Sequence, residues 1–188
     1  ITAEGGRVLL TGSASQDIFS QAVNADGLNA KTSVVMHEDG SFTLGAGADV
    51  VNTGTISTSS TTAEAGDIVV LGENVNSSGT ILANSKTAAG DIEIHSRDTT
   101  LLTENSTTSA INDGAGSGGQ IKILGDRVGV LDQSQIHTSG THGGGDIHIG
   151  GGFQGKETQL RNASRTAIGK NTLIEANATA QGDGGDVI

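Results

Sequence analysis

A short Gly-rich phrase returns six times along this chain, and it limits the folds that the sequence can adopt. The phrase is Gly or Ala, then Gly, then a polar residue, then a run of mainly aliphatic residues. Its copies cover residues 5–10, 65–70, 89–94, 118–123, 144–149 and 184–188. The polar residues of successive copies are 60, 24, 29, 26 and 40 positions apart. With the longest interval counted as two turns, the spacing indicates a repeat of about 24–30 residues.

Each repeat contains about three short segments with strand character, separated by Gly, Asn, Asp or Ser. Residues 121–124, 127–131 and 135–137 are one such set. Alternating apolar and polar residues between turn residues predict short β-strands, and helical spacing is absent. One turn of three strands cannot bury its own apolar face, whereas stacked turns share a continuous core. The sequence therefore predicts an all-β parallel β-helix (a β-solenoid) of roughly seven turns, with 1–188 as one segment of a longer protein.

The stacking also predicts which side chains share a column. We expect an inward aliphatic column of Ile68, Ile92, Ile121 and Ile147. Two outward columns should form a solvated face, consisting of Asp67, Asp91, Gln120 and Asp146, and of Val69, Glu93, Lys122 and His148. Glycine at the corners is expected to supply positive φ angles. The absence of Pro fits, because every internal strand needs its N–H for the next turn.

The composition narrows the classes of partner. The 188 residues carry a formal net charge of −11, which argues against nucleic acid as a partner. No apolar run approaches the roughly 20 residues of a transmembrane helix. The chain has no Cys, so no disulfide framework is expected.

Several phrases, taken in their order along the whole chain, resemble filamentous-haemagglutinin-type adhesins. They are residues 5–11, 16–24, 39–45, 51–56, 150–156, 162–163 and 184–188. The resemblance implies a right-handed parallel β-helix in a large exoprotein exported by two-partner secretion, with roles in adhesion, aggregation or biofilm. It implies an extracellular location at the bacterial cell surface and an outer-membrane transporter of the two-partner type as export partner. Exopolysaccharide and glycans of host or neighbouring cells are the further partners it suggests.

A polysaccharide-processing β-helix enzyme, a lyase or hydrolase, is the alternative function. Such chemistry needs carboxylates that converge in a groove, and here the acidic residues are scattered singly. No nucleophile-elbow motif accompanies the Ser, His and Asp residues. His142, Asp146 and His148 come nearest to a metal site, but no further ligand is evident. We therefore predict no catalytic residue, no metal and no cofactor.

The 40-residue interval is predicted to hold a loop outside the coil, near residues 150–170. Four of the chain's ten basic residues fall there, Lys156, Arg161, Arg165 and Lys170. Loops often carry binding residues, so these four are candidate contacts for an anionic glycan. The alternative is a solvated loop that pairs with the rod's own carboxylates.

Asn-x-Ser/Thr sequons are candidate glycosylation sites, and four occur, at Asn76, Asn105, Asn162 and Asn177. In a chain so rich in Asn, Ser and Thr, most are expected by chance.

Overall fold

The protein is an all-β solenoid. A computed structural model describes residues 1–11, 34–36, 42–44 and 49–188. Its described residues form three parallel sheets of five strands each and one antiparallel pair. Helix is limited there to a single 3-10 turn at Phe153–Gly155.

The strands are numbered in chain order. The first sheet consists of β1 (Val8–Thr11), β6 (Ile68–Gly72), β9 (Ile92–Ser96), β12 (Ile121–Leu124) and β15 (Ile147–Ile149). The second sheet consists of β4 (Val50–Asn52), β7 (Val75–Ser77), β10 (Thr99–Leu102), β13 (Arg127–Val130) and β16 (Arg165–Ile168). The third sheet consists of β5 (Thr55–Ser57), β8 (Thr80–Leu82), β11 (Thr107–Ser109), β14 (Gln135–His137) and β17 (Leu173–Glu175). The antiparallel pair is β2 (Val34–Met36) with β3 (Phe42–Leu44).

The predicted β-solenoid with three strands per turn is confirmed, but the predicted number of turns is wrong. The chain passes through the second, third and first sheets in turn, which gives about four complete turns, β4–β6, β7–β9, β10–β12 and β13–β15. The 60-residue interval is one step of the coil, because Val8 is the direct Cα partner of Ile68. The 40-residue interval is also one step, with Ile147 bridged to Val187. A count of turns based on the chain length between the repeated phrases is therefore too high.

The predicted aliphatic column forms the first-sheet wall of the core. Ile68, Ile92, Ile121 and Ile147 are register partners, and each side chain is at most 1% exposed. Complete burial of an Ile side chain contributes about 1.5–3 kcal/mol. The other two sheets add columns such as Ile56, Ile81 and Ile136, so one core runs along the rod.

The outward aspartates connect successive turns by hydrogen bonds. The N–H of Asp91 donates to Asp67 Oδ1 at 3.0 Å, and the N–H of Gln120 donates to Asp91 Oδ1 at 2.8 Å. Asp146 accepts from the N–H of Asp186 in the same way, at 3.3 Å. This bond explains why the repeated phrase carries Asp after its glycine. The expectation of a fully solvated face is wrong at His148, which is only 6% exposed and whose Nδ1 has no partner among the described residues.

The repeated glycines fit the corner for a reason other than positive φ. The corner column consists of Gly66, Gly90, Gly119, Gly145 and Gly185, and none of the five has a positive φ. A Cβ on any of them would clash with the carbonyl oxygen of the glycine one turn earlier. Left-handed backbone instead occurs elsewhere, including the non-glycine residues Glu104, Asn105, Asp132, Gln133 and Asn171. The expectation that these glycines supply positive φ is therefore wrong, because the close backbone approach excludes a side chain.

Replacing Gly119 with Ala should destabilise the rod. Its new methyl would meet the carbonyl of Gly90, and no rotamer relieves a clash with backbone. We expect a loss near the upper end of the overpacking range, about 3 kcal/mol, in chemical denaturation. Gly6→Ala is the matched control, because Gly6 begins the same column and its Cβ would meet only Ala3, at 3.3 Å. Equal losses in the two variants would refute the proposed role of the corner column.

Replacing Ile121 with Asp should cost about 3 kcal/mol or more, because a carboxylate would enter an apolar interior without a partner. Ile121 is 0% exposed in the middle of the column. Lys122→Ala, one residue along and facing outward, should change the stability by less than about 0.5 kcal/mol. A thermal melt of Ile121→Asp that matches the parent would show that the inward assignment is wrong.

Candidate functional site

Most of the arginines gather along one edge of the rod, where the chain passes from the first sheet to the second. Four of the five arginines lie there, together with three carboxylates. We call this edge the arginine corner, and it consists of Arg97, Arg127, Arg161, Arg165, Glu73, Asp98 and Asp126. The strand order brings it together, because Glu73 follows β6, Arg97 and Asp98 follow β9, and Asp126 follows β12.

The ion pairs of the arginine corner are staggered by one turn. Arg97 Nη1 lies 3.7 Å from Glu73 Oε2. Arg127 Nη2 lies 2.5 Å from Asp98 Oδ2. Arg161 Nη2 lies 3.8 Å from Asp126 Oδ1. Each guanidinium thus faces a carboxylate that precedes it along the rod, which spreads positive charge along an otherwise acidic chain.

The pair of Arg127 and Asp98 has the tightest geometry. Arg127 donates from Nη2 to both carboxylate oxygens, at 2.6 and 2.5 Å, and from Nε to Oδ1 at 3.2 Å. The hydrogen bond from Arg127 holds the pKa of Asp98 below its usual range. Fork-shaped pairing of this kind fixes the direction of the guanidinium.

A segment outside the three sheets falls within the range, near residues 150–170, for which the sequence predicts a loop. It leaves the coil after β15 and ends before β16, so it covers residues 150–164, which we call the excursion. Its two ends are joined by a bond from the N–H of Ala163 to the Gly150 carbonyl, at 2.7 Å. Arg161 extends from it to the carbonyls of Ser96 and Arg97, at 3.3 and 2.7 Å. The excursion therefore folds back along the arginine corner as far as the end of β9.

The four predicted basic residues occupy different environments. Arg161 anchors the excursion, whereas Lys156 is exposed and donates to Gln154 Oε1 at 2.6 Å. Arg165 already belongs to β16, where it is the Cα partner of Arg127. Lys170 is exposed in the turn before β17. Asp126 links two of the four, because it lies near Arg161 and its carbonyl accepts from the N–H of Arg165.

Sequence reasoning missed Arg97 and Arg127, which complete this edge. Each stands in or beside the short connection after a first-sheet strand. Alignment of the turns on their Gly-Gly phrases places both residues at nearly the same step, and that signal was present in the sequence. Their partners Glu73 and Asp98 come from the same connections one turn earlier.

The predicted glycosylation sites are accessible. The four sequon asparagines are exposed, and they are Asn76, Asn105, Asn162 and Asn177. Asn162 also donates to the Gly155 carbonyl within the excursion, at 3.0 Å. Their glycosylation stays a prediction.

Within the described ranges, no group of three or more His, Cys, Asp or Glu residues is arranged to hold a metal ion, so His142, Asp146 and His148 form no such group. Among the same residues, no helix has the length and apolar character needed to span a membrane.

In comparisons with known proteins, no protein-family model matches the chain, and no curated protein or solved structure shows significant similarity to it.

His95 lies on the outward face of β9, beside the point where Arg161 binds. Its Nδ1 is 3.8 Å from Glu93 Oε1, and its side chain is 32% exposed. Burial lowers the pKa of His95, the charge of Glu93 opposes that shift, and Arg161 adds to it. The folded protein therefore favours the neutral imidazole.

The protein should lose stability as the pH falls through the ordinary His range. The unfolded chain takes up a proton near pH 6.5, and folded His95 takes it up only at lower pH, so the unfolded state binds more protons in between. We expect the midpoint of thermal unfolding to drop between pH 7.5 and pH 5.5, and His95→Gln to make that drop smaller. His142→Gln, at an exposed position, is the control and should leave the drop unchanged. An unchanged drop in His95→Gln would contradict this assignment.

Proposed function

We propose that this chain is a shaft segment of a large secreted bacterial surface adhesin of the filamentous-haemagglutinin type. In this role the coil holds binding regions away from the cell and supports attachment, aggregation or biofilm. The observation that carries the proposal is the continuous stack from β4 to β17, in which each sheet keeps its register from turn to turn. A stack of this kind lengthens by adding turns.

The length of the coil and the contacts between its turns support a role as a spacer. Neighbouring strands lie about 4.8 Å apart, so four turns extend the rod by about 19 Å. The Asp67 and Asp91 carboxylates are used to bond the next turn, and the corner glycines exclude side chains from the closest approach. The outward side chains of Asp67 and Asp91 thus serve the stacking itself, and the phrase at residues 184–188 that resembles these adhesins carries a Gly-Gly-Asp step of the same kind.

Export and partners belong to the same proposal. A chain that folds turn by turn suits passage through an outer-membrane transporter of the two-partner type, because each turn contacts only its neighbours. The exposed sequon asparagines and Lys156 would then face the medium at the bacterial cell surface. Exopolysaccharide and glycans of host or neighbouring cells are the surfaces that such a rod would meet.

Antibodies raised against the purified chain should label intact producing cells as strongly as permeabilised cells. Deletion of the outer-membrane transporter should remove that surface label, because export precedes attachment. A cytoplasmic marker, labelled only after permeabilisation, serves as the control for cell integrity. A chain that is labelled only in permeabilised cells would refute the surface shaft.

The enzyme alternative has a separate readout. The purified chain is incubated with polygalacturonate or other acidic polysaccharides, and the release of reducing ends is measured. The shaft proposal expects no release above the heat-treated protein. Sustained release that scales with the concentration of the chain would replace the shaft by a β-helix lyase or hydrolase.

A further inference from the structure

A groove lies on the outward face of the second sheet, across its last three strands. Leu101 of β10, Gly129 of β13 and Leu131 line it together with Thr99, Arg127, Arg165 and Ala167, and nearly all of its exposed lining is apolar. Its volume is about 250 Å³. Sites for drug-sized ligands usually measure about 300–1,000 Å³, so this groove has room for one ring-sized group.

The groove exists because one outward column lacks side-chain volume. Gly129 is the register partner of Leu101 on one side and of Ala167 on the other. A Cβ at Gly129 would lie 2.7 Å from Leu101 Cδ2 and 3.5 Å from Leu131 Cδ1. The two leucines therefore cover the buried backbone of Gly129 and form an apolar floor, and the small side chain of Ala167 leaves the far side low. The floor offers apolar contact at the face of an otherwise polar rod.

The two arginines among the lining residues differ in their pairing. Arg127 is held by Asp98 at 2.5 Å. Arg165 is its register partner on the adjacent strand, about 4.8 Å away along the rod, and like charges placed opposite each other are destabilising. In the described part of the chain, no carboxylate lies within 4.0 Å of the Arg165 guanidinium. Among the described residues, the staggered series of ion pairs thus stops before Arg165.

The groove and the Arg165 guanidinium together define the chemistry of a ligand. A carboxylate pairs with a guanidinium through two parallel hydrogen bonds. The Arg165 guanidinium can form such a pair with a ligand, because no carboxylate of the described residues lies within 4.0 Å of it. The C–H face of a sugar ring fits the small apolar floor formed by Leu101, Gly129 and Leu131. A nucleic acid is disfavoured, because the chain carries a net charge of −11 and phosphate tracks need several free cations.

We propose that this groove binds one carboxylated sugar unit of an acidic polysaccharide, with Arg165 holding the carboxylate and the Leu101–Gly129–Leu131 floor packing against the ring. Of the four basic residues that the sequence singled out, Arg165 lines the groove, whereas Lys156, Arg161 and Lys170 do not. The proposal does not depend on the adhesin assignment, because the groove is a property of the sheet face. Through this groove the rod would make one specific contact with an anionic glycan.

The test uses the full chain and oligogalacturonate, with a neutral oligosaccharide of equal length as the comparison. Binding is followed by calorimetry and by the guanidinium Nε–H signals of the arginines in NMR spectra. We expect oligogalacturonate to bind and to shift the Arg165 signal, with the neutral oligosaccharide at least tenfold weaker. Free galacturonate should shift the same signal, because one unit occupies the groove.

Three variants separate the groove from general charge. Arg165→Gln should weaken binding at least tenfold, whereas Lys156→Gln removes one equal charge from the excursion and should change it less than twofold. Ala167→Leu keeps every charge and fills the exposed far side of the groove, so it should also weaken binding at least tenfold. Each variant is compared with the parent by circular dichroism and thermal melting, and only variants with the parent's fold are interpreted.

Two results with the parent chain would overturn the proposal: no binding of oligogalacturonate at millimolar concentration, or equal binding of the neutral oligosaccharide. Two results with the variants would also overturn it: equal losses of affinity in Arg165→Gln and Lys156→Gln, or unweakened binding by Ala167→Leu. Since these measurements use purified protein, they stand apart from the labelling of cells. Absence of the surface label would refute the shaft but not the groove. Absence of binding by the purified chain would refute the groove but not the shaft.

Discussion

The contact between backbones at the glycine corner is the constraint on which the rest of the coil depends. There the N–H of Gly119 bonds to the Ala110 carbonyl of its own turn at 2.9 Å, and the N–H of Gly145 bonds likewise to Thr138 at 2.7 Å. Those bonds pull the corner inward until each glycine meets the carbonyl of the glycine one turn earlier. With the corner closed in this way, the following strand begins at the same place in every turn. Register in the first sheet, and hence the Ile column, follows from that placement.

The surface chemistry is a consequence of the same stacking. Because outward residues repeat once per turn, a single residue type can form an extended column along the rod. Asp uses that repetition to bond the next turn, and the arginine corner uses it to place each guanidinium beside a carboxylate of an earlier turn. Individual exposed ion pairs contribute only about 0–1 kcal/mol, so the arginine corner shapes the surface more than it stabilises the fold. Among the described residues this alternation ends at Arg165, whose guanidinium has no carboxylate within 4.0 Å.

The sequence predicted those parts of the structure that repeat, and it failed where one turn differs from the next. The alternation at Ile121 and Ile123 was sufficient to assign the core, because period two allows only one inward set. The number of turns was wrong because the spacing between phrases does not distinguish a turn from a turn with an insertion, and only the pairing of Val8 with Ile68 does. The groove was missed because it arises from Gly129 between Leu101 and Ala167, which are distant in sequence and become neighbours only in register.

Register itself can be measured directly with pairs of spin labels, since the chain has no native Cys. Cysteines are placed in pairs at Val69, Glu93 and Lys122, which the structure stacks one above another in three successive turns. The stacked coil predicts strong dipolar broadening for the pairs 69/93 and 93/122, whose backbones lie about one strand spacing of 4.8 Å apart. Broadening for the pair 69/122, at about twice that distance, should be weaker. Absence of broadening for 93/122, or stronger broadening for 69/122 than for either neighbouring pair, would contradict the stacked coil.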